Sequence, residues 1–413
     1  MKVFKFGGAS VKDPNAIRNM ASITQANGNS NLLIVISAMG KTTNALEKII
    51  ALQREGKDFE KELSDLQHYH FKILNELFQE DHSIFKMIGD QFNRIGIETK
   101  KNDSYDQIYD QVVSLGEVIS TLIIASYLEQ EGVAVQWIDA RKMIRTDRNF
   151  REGKVDWDIS KINIQTLTSS LANSVLVTQG FIGSTEDGLT TTLGREGSDY
   201  TAAIFASCLK AESVTIWKDV PGVMNADPKR LPAAIVFEEL PFKEAAEMTY
   251  YGASVIHPKT IKPLANNGIP LLVKNFDNPL LPGTVIKETT LDHIPPLIVF
   301  KDNQCLISCK VTDYSFIDEN QLGTIFGIVS EMHLKINLMQ NSAISFSFCV
   351  DYRDDKIIKL IDLLGKHFEV YYNTGLTLIT VKNYDQQIFQ EYRQKKGVIL
   401  EQSSRSTLQV LLK

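Results

Sequence analysis

Short runs of apolar, mostly β-branched residues recur along the first 290 residues, and a stretch with helical spacing follows most of them. A strand that is buried on both faces has no polar side, so such runs are typical of a mostly parallel sheet covered by helices. The sequence therefore predicts one α/β domain over residues 1–290. Its predicted strands are residues 2–6, 32–37, 133–138, 174–178, 214–217 and 269–274.

Between residues 45 and 132 this strand pattern is missing. Apolar residues there fall three or four positions apart, as at Leu46, Ile49 and Ile50, which is the spacing of an amphipathic helix. We interpret this segment as a helical insertion in the α/β domain. Its many charged residues are explained by a solvated helix surface.

The pattern changes after a proline-rich stretch at residues 279–296, which indicates a domain border. Residues 297–413 predict the order βαββαβ, which is typical of a ferredoxin-like fold. The predicted elements are strand 305–311, helix 322–333, strands 335–339 and 344–350, helix 355–366, strands 368–372 and 376–381, helix 386–394, and strands 398–402 and 407–412.

The composition of the 413 residues, 43% apolar and 23% charged, is that of a soluble globular protein with more than one domain. A net charge of −6 argues against nucleic acid as a partner. No uninterrupted apolar run has the length of a membrane span, and the first residues lack a signal-peptide core, so we expect a cytoplasmic protein. Four cysteines without a CxxC pair predict neither disulfides nor a zinc site.

The first predicted strand ends in Lys5, Phe6, Gly7, Gly8, Ala9 and Ser10. Two glycines between a strand and a helix let the backbone come close to a phosphate, and Lys5 would add a positive charge. The alternative is an ordinary tight turn. The second strand leads to Gly40-Lys41-Thr42, but a P-loop would need glycine where Val35 stands, so that motif is excluded.

Two further segments carry polar groups. In the first, Arg195, Ser198 and Asp199 combine a guanidinium, a hydroxyl and a carboxylate close to a predicted helix start; arginine binds carboxylates with two hydrogen bonds. The alternative is that Ser198 or Asp199 only caps a helix over residues 200–209. In the second, residues 217–230 form a long polar loop after a strand, where open α/β sheets bind ligands; the alternative is a pair of turns.

At this point the sequence resembles the aspartokinases over essentially its whole length. Four motifs occur in the order of that family: KFGG-x-S from Lys5, S-x-GE at 114–117, TTLGR-x-GSD at 191–199, and D-V-x-G-V-x-x-x-DP from Asp219. The resemblance implies an amino-acid-kinase (carbamate-kinase-like) α/β fold, followed by a ferredoxin-like ACT regulatory region over 297–413 with one complete unit and a second, incomplete one.

The resemblance also implies a monofunctional enzyme that transfers the γ-phosphoryl group of ATP to the β-carboxylate of L-aspartate, giving 4-phospho-L-aspartate and ADP. This reaction begins the biosynthesis of lysine through diaminopimelate, threonine and methionine. Mg²⁺ would be carried by the ATP. The alternatives are a catalytically poor ACT-type amino-acid sensor and a related kinase of glutamate, acetylglutamate or carbamate.

The same resemblance assigns roles to individual residues. Lys5 would contact the transferring phosphate, and Asp199 would hold Lys5 and the Mg²⁺-nucleotide. The other substrate-binding residues would be Ser37 and Thr43 for aspartate, Glu117 for its α-ammonium, Arg195 for a carboxylate, and Ser198. The other ATP-binding residues would be Gly7, Gly8, Ser10, Lys218, Asp219, Met224, Lys229, Ser254 and Lys259.

The sequence departs from the family pattern at three positions of the nucleotide site. Lys218 and Met224 stand where many relatives have threonine and tyrosine, so the usual aromatic contact to adenine is missing. Ser254 stands where relatives have a phosphate-binding lysine, for which Lys259 or Lys218 is the candidate replacement. His257 precedes a proline, and we interpret it as a structural histidine.

The tail resembles an ACT pair, with Asn337 where the family often has an aspartate that would hold an effector ammonium. It predicts either feedback regulation by lysine or threonine, or a role in dimer formation alone. We expect a homodimer in both cases.

Overall fold

The computed structural model describes residues 1–28, 30–253, 256–291, 293–312 and 315–413. These residues form two compact units. The first unit contains Met1–Val223, Val236–Ala246 and residues 256–290. The second unit contains Met224–Ile235, a short segment that begins at Glu247, and Leu291–Lys413.

Before residue 291, strands and helices alternate along the chain, apart from a run of consecutive helices over residues 42–130. The strands are β1 (Lys2–Phe6), β2 (Leu32–Ile36), β3 (Val135–Ile138), β4 (Val175–Gln179), β5 (Ile182–Ser184), β6 (Thr190–Thr192), β7 (Ser213–Lys218), β8 (Glu239–Pro241), β9 (Leu271–Asn275) and β10 (Thr284–Lys287). The helices are α1 (Pro14–Ala26), α2 (Thr42–Arg54), α3 (Glu60–Leu77), α4 (Ile84–Thr99), α5 (Tyr105–Gln130), α6 (Ala140–Met143), α7 (Trp157–Gln165), α8 (Thr168–Leu171), α9 (Gly197–Leu209), α10 (Phe242–Tyr251) and α11 (Pro258–Asn266).

The predicted mostly parallel sheet is confirmed. Its strand order is β3-β4-β2-β1-β7-β9-β10-β8, and neighbouring strands are parallel except for the antiparallel pair β9 and β10. Phe6 lies opposite both Ile36 and Trp217, and Ile36 lies opposite Gln179. The carboxyl ends of β1, β2, β4 and β7 therefore stop at one level, and the residues that follow them share one edge of the sheet.

The predicted helical segment consists of α2 to α5, but it is more than a peripheral insertion. Helix α5 packs against β2, β3 and β4 and forms part of the main core of the first unit. By length and composition α5 could cross a membrane, although polar residues such as Ser114 and Glu117 interrupt its apolar run. However, 89% of its most apolar window is buried within the protein. This burial identifies α5 as a core helix, whose apolar residues pack against the sheet.

The second unit is built on an antiparallel sheet with the strand order β12-β13-β11-β14-β16-β15. Helices α12 and α13 pack together over its β12-β13-β11-β14 half, which has the predicted βαββαβ order of a ferredoxin-like unit. Its elements are β11 (Leu297–Lys310), α12 (Glu319–Glu331), β12 (Ile336–Asn341), β13 (Ser345–Asp351), α13 (Asp354–Gly365), β14 (Glu369–Lys382), α14 (Gln386–Arg393), β15 (Val398–Ser403) and β16 (Thr407–Leu412).

One expectation about this sheet is wrong. The predicted strands 368–372 and 376–381 are a single strand, β14, which pairs along the whole length of β11. Gly375, which lies between the two predicted strands, takes a left-handed conformation with φ 69° within β14. The register between β11 and β14 shifts near Gln304. The chain therefore passes an irregularity in the ladder and continues as a strand.

Candidate active site

A cluster of three charged side chains, two of them buried, lies at the carboxyl edge of the first unit's sheet. Lys5 near the end of β1 places its Nζ 2.8 Å from Asp199 Oδ1, and Lys218 at the end of β7 places its Nζ 3.6 Å from Asp199 Oδ2. Lys5 is 8% exposed and Asp199 is 2% exposed. Burial alone would raise the pKa of Asp199, but the two ammonium groups outweigh it and hold that pKa below its usual value.

Asp199 reaches this position because it lies in the first turn of helix α9, which begins earlier than the sequence predicts. The helix begins at Gly197, after Glu196 in a left-handed conformation (φ 53°). Ser198 and Asp199 therefore lie inside its first turn, and the prediction that one of them caps a helix over 200–209 is wrong. A Cβ at Gly180 would lie 2.4 Å from the Cβ of Ser198, so only glycine there lets the loop after β4 approach the start of α9 this closely.

The cluster opens into a cleft of about 720 Å³ within the first unit. The cleft takes its residues from the ends of β1 and β7, from the segments after β1 and β2, from the starts of α2 and α9, from α5, and from the loops at residues 150–152, 181 and 194–196. Its lining comprises Lys5, Gly8, Ser37, Ala38, Gly40, Thr43, Asp106, Tyr109, Glu117, Phe150, Arg151, Glu152, Phe181, Gly194, Arg195, Glu196, Gly197, Ser198, Asp199 and Lys218.

The cleft brings together most of the residues that the sequence predicts for the aspartate site. Ser37 directly follows β2, and Thr43 lies in the first turn of α2. Glu117 comes from the middle of α5, while Arg195 is exposed in the loop before α9. These residues share one cleft with Lys5 and Asp199 although they are far apart in the sequence.

The predicted nucleotide residues are more scattered. Gly8 lines the cleft, and a Cβ on Gly7 would lie 3.4 Å from Lys5 Nζ. Ser10 is buried in a 3₁₀ turn between β1 and α1, where its N–H donates to the carbonyl of Gly7. This turn separates the two glycines from the start of α1. A Cβ at Gly8 would lie 2.5 Å from the carbonyl oxygen of Ala38, so backbone packing requires a glycine there.

The remaining nucleotide residues are outside the cleft lining that the structure describes. Asp219 is exposed after β7. Met224 and Lys229 belong to the second unit, and Ser254 lies outside the described residues. Lys259 is exposed at the start of α11. Its Nζ would lie 3.7 Å from a Cβ on Gly194, which places this ammonium group at the rim of the cleft.

His257 lies next to this rim and has a structural role. Its Nδ1 accepts a hydrogen bond from the backbone N–H of Lys259 at 3.1 Å and so caps helix α11. Burial, Lys259 and Arg195 lower the pKa of His257, so the neutral ring is favoured. The geometry agrees with a structural histidine.

Glu117 is a buried carboxyl group with unused hydrogen-bonding capacity. It is 3% exposed, and its Oε2 atom has no hydrogen-bond partner among the residues the structure describes. Burial raises the pKa of Glu117 to about 8, although a backbone hydrogen bond from Ala38 and the charge of Lys5 act in the opposite direction. Such a group is suited to bind a cation such as an ammonium group.

Sequence reasoning missed several residues of the cleft. Arg151 stacks over the ring of Tyr109, with its Cζ 4.3 Å from the ring centroid, and lies near Asp106. The Oε2 atom of Glu196 is buried and has no hydrogen-bond partner among the residues that the structure describes. Burial raises the pKa of this carboxyl group. The left-handed conformation of Glu196 has no sequence signal, since glycine or asparagine would be the usual residue there. Arg151 follows no strand pattern and is recognisable only from its contacts.

Comparison with known proteins adds to this geometry. Residues 1–275 match the model of the amino acid kinase family. The chain belongs to the amino acid kinase family. It is 35% identical to the lysine-sensitive aspartokinase 3 of Escherichia coli over 357 residues, which cover 84% of this chain and 78% of that protein. The resemblance to aspartokinases is thereby confirmed, and so is the expected fold class.

Two crystal structures of E. coli aspartokinase III cover all of this chain, and this chain covers 96% of each, with a TM-score of 0.84. One is a complex with lysine and aspartate in the T-state, at 30% identity. The other is a complex with aspartate and ADP in the R-state, at 29% identity. The chain spans less than half of the bifunctional aspartokinase/homoserine dehydrogenase of Buchnera aphidicola, to which it is 31% identical (47% of that protein).

Proposed function

We propose that the protein is an aspartate kinase, which uses ATP to phosphorylate the β-carboxylate of L-aspartate. The observation that carries this proposal is the meeting of Lys5 and Asp199 with Arg195 and Glu117 in one cleft of an amino acid kinase fold. A dicarboxylic amino acid presents two anionic groups and one ammonium group. The cleft offers cationic side chains for the first two and a buried carboxyl for the third.

The reaction needs positioning and charge neutralisation more than acid–base catalysis. A carboxylate oxygen of aspartate attacks the γ-phosphorus, and the bond between that phosphorus and the oxygen bridging to the β-phosphate breaks, which leaves ADP with the electron pair. The nucleophile is already ionised at neutral pH, so no proton has to be removed. Lys5 would stabilise the charge on the transferred group, and Asp199, which also pairs with Lys218, would hold the Lys5 ammonium in place.

The nucleotide would be bound as its Mg²⁺ complex. Mg²⁺ in kinases is commonly held by one or two carboxylates together with substrate phosphates. Asp199 pairs with both Lys5 and Lys218, and the charges of the same two lysines act on the carboxyl group of Glu196 in the cleft. No cluster of three or more metal-binding side chains occurs among the described residues. This donor set fits an ion that arrives on the nucleotide. Our candidates for further nucleotide contacts remain Lys218, Lys259, Asp219, Met224, Lys229 and Ser254.

A hydroxamate assay tests the proposal directly, because hydroxylamine traps acyl phosphates. We expect ATP-dependent hydroxamate formation with L-aspartate, and at least about tenfold less with glutamate or acetylglutamate, which leave the cleft's polar groups unpaired. Equal turnover of glutamate would favour a related kinase. Binding of lysine or threonine without any aspartate-dependent release of ADP would favour the amino-acid sensor.

The Arg195→Lys variant tests the assigned carboxylate clamp. Lysine keeps the charge but loses the planar pair of donors, so we expect KM for aspartate to rise about tenfold or more while kcat changes little. Initial rates at varied aspartate concentrations measure this. Arg148→Lys is the matched control, because Arg148 is an exposed arginine in a surface ion pair with Asp187. An unchanged KM in Arg195→Lys would place the clamp elsewhere.

The pH dependence of aspartate binding tests the role of Glu117. With a pKa of about 8 in the ligand-free cleft, Glu117 is largely protonated at pH 7. An ammonium group prefers the carboxylate, so KM for aspartate should fall about tenfold between about pH 6.5 and 8.5. We expect Glu117→Gln to show a high KM that is flat over this range. A wild-type KM that rises with pH would contradict the assignment.

The same shift affects stability with a defined sign. The pKa of Glu117 is higher in the folded than in the unfolded protein, so the folded state binds more protons between about pH 4.5 and 8. The contribution of Glu117 to the free energy of unfolding therefore decreases as pH rises through this window. Urea unfolding of wild type and Glu117→Gln across the window should show a weaker pH dependence in the variant.

We also propose that the second unit binds an amino-acid effector, as the lysine complex of E. coli aspartokinase III suggests. Asn337 already accepts a hydrogen bond from Lys301 and donates to Gln304 and Asp351. An effector ammonium would have to compete with Lys301 for the oxygen of Asn337. Calorimetric titration with lysine and with threonine decides between regulation and a role in dimer formation alone. A cytoplasmic homodimer remains our prediction.

A further inference from the structure

Asp110 is a fully buried carboxylate that sequence reasoning did not single out. It lies on α5, with 0% exposure, and accepts three hydrogen bonds from two segments far away in the sequence. Its Oδ2 accepts from the backbone N–H groups of Arg151 and Thr192, both at 2.9 Å, and its Oδ1 accepts from the Thr192 hydroxyl at 2.7 Å. One side chain thus ties the loop of Arg151 to the end of β6.

Both of these segments form walls of the cleft at the side where Arg195 lies. Thr192 is the last residue of β6 and stands three positions before Arg195. A Cβ on Gly194 would lie 3.3 Å from the carbonyl oxygen of Arg151, so the two loops touch at the residue that precedes Arg195. Glu117 follows Asp110 by seven residues, or two helical turns, on the same face of α5. Helix α5 therefore supplies Asp106, Tyr109 and Glu117 to the cleft directly and, through Asp110, holds the loop of Arg151 and the end of β6.

We propose that Asp110 is a positioning residue for the phosphoryl-acceptor site, which holds the loops of Arg195 and Arg151 in the geometry that binds the dicarboxylate substrate. This inference rests on the proposed function, since it assigns the carboxylate clamp to Arg195. Asp110 touches neither substrate nor nucleotide in this scheme. Its effect passes through the two backbone segments that it connects.

The energetics of Asp110 favour a role beyond stability. Burial raises the pKa of Asp110 to about 6, and the hydrogen bonds from Arg151 and Thr192 only partly offset that cost. A neutral side chain of the same shape would be cheaper to bury. However, an asparagine has only one oxygen. With that oxygen toward the two backbone N–H groups, its NH₂ group would take the place of the oxygen that accepts the hydrogen bond of the Thr192 hydroxyl. The carboxylate thus gives all three donors an ionised acceptor, which the isosteric amide cannot do.

The test is steady-state kinetics of Asp110→Asn with aspartate and ATP varied separately. We expect KM for aspartate to rise about tenfold, as for the loss of hydrogen bonds to a charged acceptor, with KM for ATP within about twofold of wild type. Combined with Arg195→Lys, the increase should be clearly smaller than the product of the two single effects, since both act on the same clamp. Equal increases in both KM values, or independent effects in the double variant, would overturn the inference.

Two further variants keep the test decisive. Thr192→Val removes only the hydroxyl donor, and we expect it to raise KM for aspartate about threefold with ATP unaffected; this variant replaces Asp110→Asn if that protein does not fold. Gln111→Ala is the matched control, because Gln111 bonds to the backbone of Thr190 on β6 but not to Arg151. An equal loss in Gln111→Ala would reduce Asp110 to a support of β6 and overturn the link to the acceptor site.

The outcomes for this inference and for the proposed function are separable. If wild type forms no hydroxamate from aspartate, the proposed function fails. If wild type does so and Asp110→Asn keeps a normal KM for aspartate, only the role of Asp110 fails.

Discussion

Replacing Lys5 with alanine is expected to lower kcat by at least about 10²-fold. The ammonium group of Lys5 is buried and fixed by Asp199 at 2.8 Å, so it needs no reorganisation when charge develops on the transferred phosphoryl group. Removing one preorganised donor of this kind typically costs two to three orders of magnitude in kcat, or about 3 kcal/mol of transition-state stabilisation. The effect should appear in kcat because the interaction is strongest in the transition state.

Coupled measurement of ADP release at saturating aspartate and ATP checks this expectation. Lys2→Ala is the matched control, since Lys2 lies on the same strand β1 but is exposed at its start. Lys5→Arg keeps the charge on a larger side chain and should recover only part of the activity. Near-normal turnover in Lys5→Ala would show that another cation, such as Lys218, contacts the transferred group.

The parallel sheet of the first unit could be predicted because its strands are short, apolar and buried on both faces. The β2 segment Leu32–Ile36 is buried at every position and contains only apolar residues, which is the pattern of a strand covered on both faces. The position of the site followed from the same pattern, because residues directly after such strands must meet at one edge. Lys218 is an example: its place at the end of β7 brings it to this edge of the sheet, where it pairs with Asp199.

Other parts depended on contacts that no local pattern shows. Asp110 and Arg151 are 41 positions apart, and their hydrogen bond is set by how α5 packs under the sheet. The start of α9 could not be placed from its residues, because Glu196 occupies a left-handed conformation that is normally filled by glycine. In the second unit, we predict two strands where the single strand β14 pairs with β11 across a shift in register, and this pairing is a tertiary contact. In each case tertiary packing overrides the local preference.

Replacing Asp199 with asparagine is expected to have the second large effect, on both activity and stability. Asp199 is buried and pairs with two ammonium groups, so an amide would remove the counter-charge that Lys5 and Lys218 share. Breaking a buried ion pair by removing one partner typically destabilises a protein by about 3–5 kcal/mol. We expect kcat to fall about 10²-fold as well, because Lys5 would no longer be held at the phosphate.

Urea unfolding and initial rates measure these two effects, with Asp187→Asn as a control on an exposed ion pair. The sharper test is the double variant Lys5→Met with Asp199→Asn. Removing the unpaired cation should restore a large part of the lost stability while activity stays low. If the double variant is as unstable as the sum of the single ones, Lys5 and Asp199 do not act as a pair, and the charge on Lys5 must be balanced by another group in the cleft.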